Sequence, residues 1–230
     1  MAERQSHGFK FEQLCNNMLS NLTLFEGYTN IDDALYDTGR HTVRVSIKSI
    51  NYNGEICLGD IFRIVDISEP LLMLVGNHFR GKAPDSIDAY YLPNGFPGIM
   101  NGKSGDVSDL CHRFYDYMLS EDNLNKRGYD KKWAEERRRF LDAYIGLFGE
   151  EDRNDQNIFI HPRPKRDHKH QRRIQCAIPR RYRSRLDDEY RIAAINLASN
   201  RVETRDGFSR AFNSDEEAWD AFSDAINRLA

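Results

Sequence analysis

The chain has 230 residues, with 33 lysines and arginines against 36 aspartates and glutamates, and 40% of it is hydrophobic, including 13 Phe, 11 Tyr and 2 Trp. That length is enough to bury a core without disulfide or metal staples, and the aromatic supply excludes an intrinsically disordered chain. The longest apolar run, Pro70 to Gly76, falls far short of the roughly 20 residues that cross a bilayer, so no membrane span is expected.

In chain order, apolar residues at Phe11, Leu14, Cys15, Met18, Leu19 and Leu22 recur near a 3.6 period, which predicts a helix over 9–24 with Glu12 in its first turn. Ala34-Leu35-Tyr36 is a short strand, Asp37-Thr38-Gly39-Arg40 has turn chemistry, and Thr42 to Ile50 alternates, with Val43, Val45 and Ile47 on one face and Arg44, Ser46 and Lys48 on the other. The two strands form a hairpin. Residues 55–65 continue as strand or strand-to-helix, and Leu71 to Val75 reads as a strand buried on both faces. A Gly/Pro/Asn-rich loop spans 93–105. Helices are expected over 107–119 and 133–147, strands over 157–161 and 173–178, and a helix over 214–229 opened by the capping pair Ser214 and Glu217. Tyr90, Tyr91 and Trp133 are read as packing residues. With no repeat and no Pro/Ser-rich linker, a single mixed α/β domain over 1–230 is expected.

Two further features bound the compartment. The opening MAERQSHGFK begins no apolar signal segment, which points to the cytoplasm. Cys15, Cys57, Cys111 and Cys176 lie dozens of residues apart, form no CxxC, and read as buried thiols.

The near-balance of charge conceals an asymmetry. From His161 to Arg185 ten lysines and arginines face one acid, Asp167, a surplus of nine that leaves the rest of the chain at −12 for the net −3. Within a segment of about 157–191, Ile174, Cys176 and Ile178 alternate with Arg173, Gln175 and Ala177, as in a strand with one face on a core. Such a strand offers Arg173 and Gln175 as donors for guanine and adenine edges, with Arg163, Lys165, Arg166, Lys169, Arg172, Arg180 and Arg181 available to phosphates. Double-stranded DNA is the expected partner. His161, His168 and His170 do not continue into the Asn and His spacing of a ββα-metal site.

The hairpin carries the chemistry. A carboxylate where one strand begins and a lysine on the facing strand lie about 5 Å apart across the ladder. The turn at 37–40 puts Asp32 or Asp33 near Ser46 and Lys48. A carboxylate holds Mg²⁺ through hard oxygen ligands, and a lysine orients water and offsets charge at phosphorus, so the pairing suits phosphodiester hydrolysis.

The order helix with Glu12, then Asp33, then Ser46-Ile47-Lys48, resembles the PD-(D/E)xK nuclease superfamily, type II restriction endonucleases in particular, over about residues 8–76. Asp33 and Lys48 fit the pattern, with twelve residues between Asp33 and Ser46, while Ser46 stands where the family has Asp or Glu. Gly59 to Arg63 followed by Leu72 to Gly76 is similar to the family's continuation into a core strand. The resemblance implies a restriction-endonuclease-like central mixed sheet flanked by helices and a Mg²⁺-dependent, sequence-specific endonuclease. Asp33, with Asp32 as its alternative, would bind metal, Lys48 would position water, and Glu55 or Glu12 would replace the missing carboxylate. It further implies a homodimer matched to a palindromic duplex and a cognate DNA methyltransferase. A nucleic-acid-binding protein that has lost catalysis and a structure-specific repair nuclease are the competing expectations.

Overall fold

The protein, seen in a computed structural model, is described over residues 3–25, 32–52, 54–79, 82–120, 131–149, 159–166 and 172–229. Its elements in chain order are α1 (Glu3–Met18), β1 (Leu22–Leu24), β2 (Ala34–Asp37), β3 (Thr42–Asn51), β4 (Ile56–Asp60), α2 (Ile61–Ile64), β5 (Leu71–His78), β6 (Ser86–Leu92), α3 (Gly95–Gly98), α4 (Ser104–Ser120), α5 (Lys131–Gly146), β7 (His161–Arg166), β8 (Arg172–Ile178), α6 (Arg183–Tyr190), β9 (Arg191–Asn196), β10 (Arg201–Thr204), β11 (Ser209–Ala211) and α7 (Asp215–Leu229). Among the described residues no helix is long and apolar enough to cross a membrane.

The chain divides into two compact units, one made of Met1–Ile56, Glu69–Pro93 and Arg183–Ala230, the other of Cys57–Ser68 and Asn94–Tyr182. The first unit holds an eight-stranded mixed sheet in the order β1-β2-β3-β5-β6-β9-β10-β11, α/β in class as the sequence indicated. Its neighbours are antiparallel except β3 and β5, which run parallel with Lys48 beside Val75. A parallel pair needs a long crossover, and here that connection carries Cys57–Ser68 of the second unit.

One face of the sheet carries the core. Phe11, Cys15 and Leu19 of α1 meet Val43, Val45, Ile47, Leu72 and Leu74, and the same cluster takes in Ala218, Trp219, Phe222 and Ile226 of α7. The approach of α1 depends on Gly76, where a Cβ would lie 2.7 Å from the Phe11 ring. Every residue of β5 is buried, which explains its unbroken apolar run. The β2–β3 turn sets the hairpin register. Thr38 N donates to His41 O, Asp37 Oδ1 accepts from Gly39 N, and Gly39 sits at φ +81°, a backbone region glycine enters without steric cost. α7 begins as expected, with Ser214 Oγ accepting from Glu217 N at 3.2 Å, although Glu217 reaches back to Asn213 N rather than to the cap residue.

The second unit pairs a three-stranded sheet, β4-β8-β7, with α2 to α5. Phe114 stacks on Phe140 at 4.4 Å and lies 5.7 Å from Trp133, which packs α4 on α5. Tyr144 OH donates to Ile160 O.

Several boundaries differ from the sequence reading. The opening helix ends at Met18, and Leu22–Leu24 is a strand on β2, because Asn21 O takes the Asp37 amide and starts the pairing. The 93–105 loop contains α3. The expected strand over 157–161 begins instead at His161, and Asn157 and Ile158 lie outside the described residues. Strands β6, β9, β10 and β11 were not expected. Cys57 is exposed, not buried, since β4 alternates and turns it away from Ile56 and Leu58. Cys15, Cys111 and Cys176 are buried, and burial pushes their thiols up, Cys111 to about 12, so they are inert at neutral pH.

Candidate functional site

The pairing of β2 with β3 continues one residue before β2, since Asp33 N donates to Val45 O at 2.9 Å. Among the described residues the β2–β3 ladder ends there, and the amide of Ile47 is met by a side chain. The Asp33 side chain fills the place of a strand carbonyl: its Oδ2 accepts from Ile47 N at 2.6 Å and from Lys48 Nζ at 2.8 Å, with Ser46 Oγ at 3.5 Å. The ion pair is partly sheltered, Lys48 being 19% exposed and Asp33 27%. A charge-assisted bond and a backbone amide on one oxygen fix the carboxylate firmly.

Glu12 joins this pair from α1. Its neighbour Phe11 is seated on Gly76, and this contact sets the height of the helix over β5. Burial holds the Glu12 carboxyl above the ordinary glutamate value; the Asp33 charge raises it further and Lys48 works the other way. Glu12 is thus within electrostatic reach of both. Hydrogen bonds join Asp33, Ser46 and Lys48, and Glu12 interacts with Asp33 and Lys48 through its charge, an acid–acid–lysine group with a hydroxyl beside it.

The other expected ligands are placed differently. Asp32 forms an ion pair with Arg44 at 2.9 Å and is buried, with Oδ1 lacking a hydrogen-bond partner among the described residues. Burial pushes its carboxyl up against the pull of Arg44. Glu55 stands half-buried at the entry to β4. Among the described residues no group of three or more His, Cys, Asp and Glu is arranged to hold a metal ion. Glu12 and Asp33 do supply two mutually repelling carboxylates, and Mg²⁺ is commonly held by one or two carboxylates with water and substrate phosphate completing the shell. Carboxylate oxygens are the donor type that a hard cation such as Mg²⁺ takes.

The basic segment folds in the second unit as a hairpin of β7 and β8. Its register sets Pro162 beside Cys176, Arg163 beside Gln175, Pro164 beside Ile174 and Lys165 beside Arg173. Pro162, Pro164, Ile174 and Cys176 are buried, whereas Lys165 is exposed and Arg163, Arg173 and Gln175 half-buried. Arg166 pairs with Arg172 in the ladder, and Arg172 Nη1 donates to Leu119 O at 3.2 Å. Arg180 and Arg181 are exposed in a 3-10 turn, with Arg181 4.9 Å over the Tyr182 ring. Lys169, His168 and His170 lie outside the described residues. His161 stacks on Tyr182 at 5.2 Å.

Two of the ten cations have a different use. Arg183 and Arg185 belong to the first unit, where Arg185 pairs with Glu189. Arg183 Nη2 donates to Asn77 Oδ1 at 2.8 Å and Asp88 Oδ2 at 3.2 Å, while Asn77 Nδ2 donates to Asp88 at 2.8 Å. Arg191 adds an ion pair at 3.5 Å. This polar network was missed from sequence; its signal was Asn77 and Asp88 inside otherwise buried strands. Tyr90 is a packing residue as expected, its hydroxyl donating to Asp187 at 2.7 Å.

Comparison of the chain with family models, curated proteins and solved structures finds no match.

Proposed function

We propose that the protein is a Mg²⁺-dependent DNA endonuclease of the type II restriction class, built on a restriction-endonuclease-like sheet. The observation that carries this reading is the 2.8 Å bond from Lys48 Nζ to Asp33 Oδ2 beside a glutamate whose charge interacts with both. Glu12 and Asp33 would hold the metal. Bound there, Mg²⁺ supplies positive charge to the scissile phosphate.

The remaining work falls to side chains of this chain. Lys48, oriented by Asp33, hydrogen-bonds the attacking water and offsets the negative charge that builds on the phosphoryl oxygens. Water adds to phosphorus and gives up a proton to solvent, the P–O ester bond breaks, and the leaving oxygen takes a proton from solvent. Ser46 contributes a hydrogen bond to Asp33 and no anionic ligand. The β7–β8 cations supply affinity for duplex DNA. The reading carries with it a homodimer on a palindromic site, a cytoplasmic location and a cognate methyltransferase protecting the host genome.

A second reading is favoured by one observation. Ser46 is neutral at the position two before Lys48, so that position supplies no carboxylate to a metal shell. On that reading the chain binds nucleic acid without cutting. Incubation with plasmid and Mg²⁺ separates them: discrete fragments support the restriction enzyme, unspecific or branch-selective cutting a repair nuclease, and a gel shift without cutting the binder.

A further inference from the structure

We infer that the β7–β8 ribbon reads two bases of a duplex, a guanine through Arg173 and an adenine through Gln175, set two base pairs apart. The inference rests on the DNA-binding part of the reading above and deepens it.

The prolines fix the geometry. Proline has no N–H, so the rungs Pro162–Cys176 and Pro164–Ile174 are the non-hydrogen-bonded ones of the ladder. The alternate rungs, Arg163–Gln175 and Lys165–Arg173, are then the hydrogen-bonded ones, with partners about 5.5 Å apart. In such a ladder the nitrogens of 162 and 164 turn to the outer edge, where both are proline. That edge offers no donor at either position and resists the addition of another strand. Strand-on-strand pairing with a second copy is thereby disfavoured at β7, leaving the ribbon's polar face as its interaction surface.

That face is cationic and bears hydrogen-bond donors. Its rungs place Arg163 with Gln175 and Lys165 with Arg173, while the prolines, Ile174 and Cys176 anchor the opposite face in the core. Among the described residues Arg173 Nε is buried with no hydrogen-bond partner, and neither Lys165 nor Arg173 makes an ion pair. The forked donors of an arginine match the paired O6 and N7 acceptors of guanine, and the Gln175 amide matches adenine N6 and N7.

The spacing agrees with a duplex. Successive residues on one strand face are two positions apart, roughly 6.8 Å at about 3.4 Å per residue. Two base-pair steps at about 3.4 Å each span the same length, and β8, the middle strand of β4-β8-β7, carries both residues on one face. The two rungs therefore meet base pairs separated by one intervening pair, with Lys165 and Arg163 directed to the flanking phosphates.

The test is selection of duplexes with a randomised central tract by the full-length protein without Mg²⁺, repeated for Arg173→Ala, Arg173→Lys and Gln175→Ala after thermal melts confirm folding. The wild type is expected to enrich a guanine and an adenine two base pairs apart. Gln175→Ala loses only the adenine preference and Arg173→Ala only the guanine preference, each by about 5- to 150-fold, as a bidentate contact is worth about 1–3 kcal/mol. Arg173→Lys keeps its affinity for the unselected pool yet loses the guanine preference, since a lysine is a point charge without the fork. No enrichment by the wild type, an unchanged preference in the variants, or an equal loss on every duplex overturns the inference. Plasmid cleavage with Mg²⁺ judges the nuclease reading separately: cutting with a ribbon-independent preference removes the ribbon alone, and ribbon-dependent selection without cutting removes catalysis alone.

Discussion

Replacing Gly76 with alanine tests how α1 is held over the sheet, and the sign of the effect is informative. Gly76 is not among the positive-φ glycines, so alanine fits its backbone. In open space the change would stabilise the chain by about 0.4–1 kcal/mol through the unfolded state. Here the new Cβ would lie 2.7, 2.8 and 2.9 Å from three atoms of the Phe11 ring, against the roughly 3.5–4.0 Å of a relaxed carbon contact. The ring has to retreat by about 1 Å, and Phe11 is 1% exposed within the core. Overpacking of this kind costs about 1–3 kcal/mol, a fall in Tm of roughly 2–12 °C for a chain of this size. Glu12 follows Phe11 in α1, so the displacement also reaches the site, and a misplacement of about 1 Å can reduce a rate by around 100-fold. Urea unfolding of Gly76→Ala, Phe11→Leu and the double variant measures the coupling. The single changes each destabilise, and the double variant is less destabilised than their sum by about 1 kcal/mol or more. A stabilised Gly76→Ala, or additivity within about 0.5 kcal/mol, refutes the contact.

Glu12→Gln tests the acidic cluster. Because the folded pKa of Glu12 lies above its ordinary value, the folded state holds this proton more tightly than the unfolded chain. Wild-type stability therefore falls as pH rises from the ordinary glutamate value through the raised one. Glutamine removes that decline, so urea midpoints of the two proteins converge in acid and the variant is the more stable at neutral pH. Added Mg²⁺ raises the wild-type midpoint and leaves that of the variant nearly unchanged. Asp88→Ala removes the acceptor from Arg183, whose side chain is 15% exposed, and is expected to cost about 3–5 kcal/mol by leaving a buried guanidinium unmatched. A loss below about 1 kcal/mol by urea unfolding contradicts that role.

The parts of the site that were legible in the sequence are those set by local patterning. The alternation of Val43, Val45 and Ile47 with Arg44, Ser46 and Lys48, closed by Asp37 to Arg40, fixes which residues face Asp33, and the register follows from the turn. Glu12 was legible because Phe11, Cys15 and Leu19 mark the buried stripe beside it. What was not legible depends on distant partners. Leu22 continues the helical spacing of Leu19, yet pairing with Tyr36 makes it a strand. β6 carries Asp88 at a buried position made tolerable by Asn77, Arg183 and Arg191. The surplus of basic residues was visible as a sum, but its division between β7–β8 and the ion pairs of Arg183 and Arg185 depends on which unit each arginine joins. The exclusion of Asp32 from the acid–lysine cluster likewise follows from Arg44, on a neighbouring strand.

The most direct measurement is single-turnover cleavage of duplex DNA in Mg²⁺ by the wild type, Asp33→Asn and Lys48→Ala, with DNA binding measured alongside. Discrete products from the wild type, and loss of cleavage by at least about 100-fold in both variants while DNA binding persists, are the results predicted. Cleavage retained by both variants, or none by the wild type on any duplex, contradicts the assignment of Asp33 and Lys48 as the centre of a nuclease.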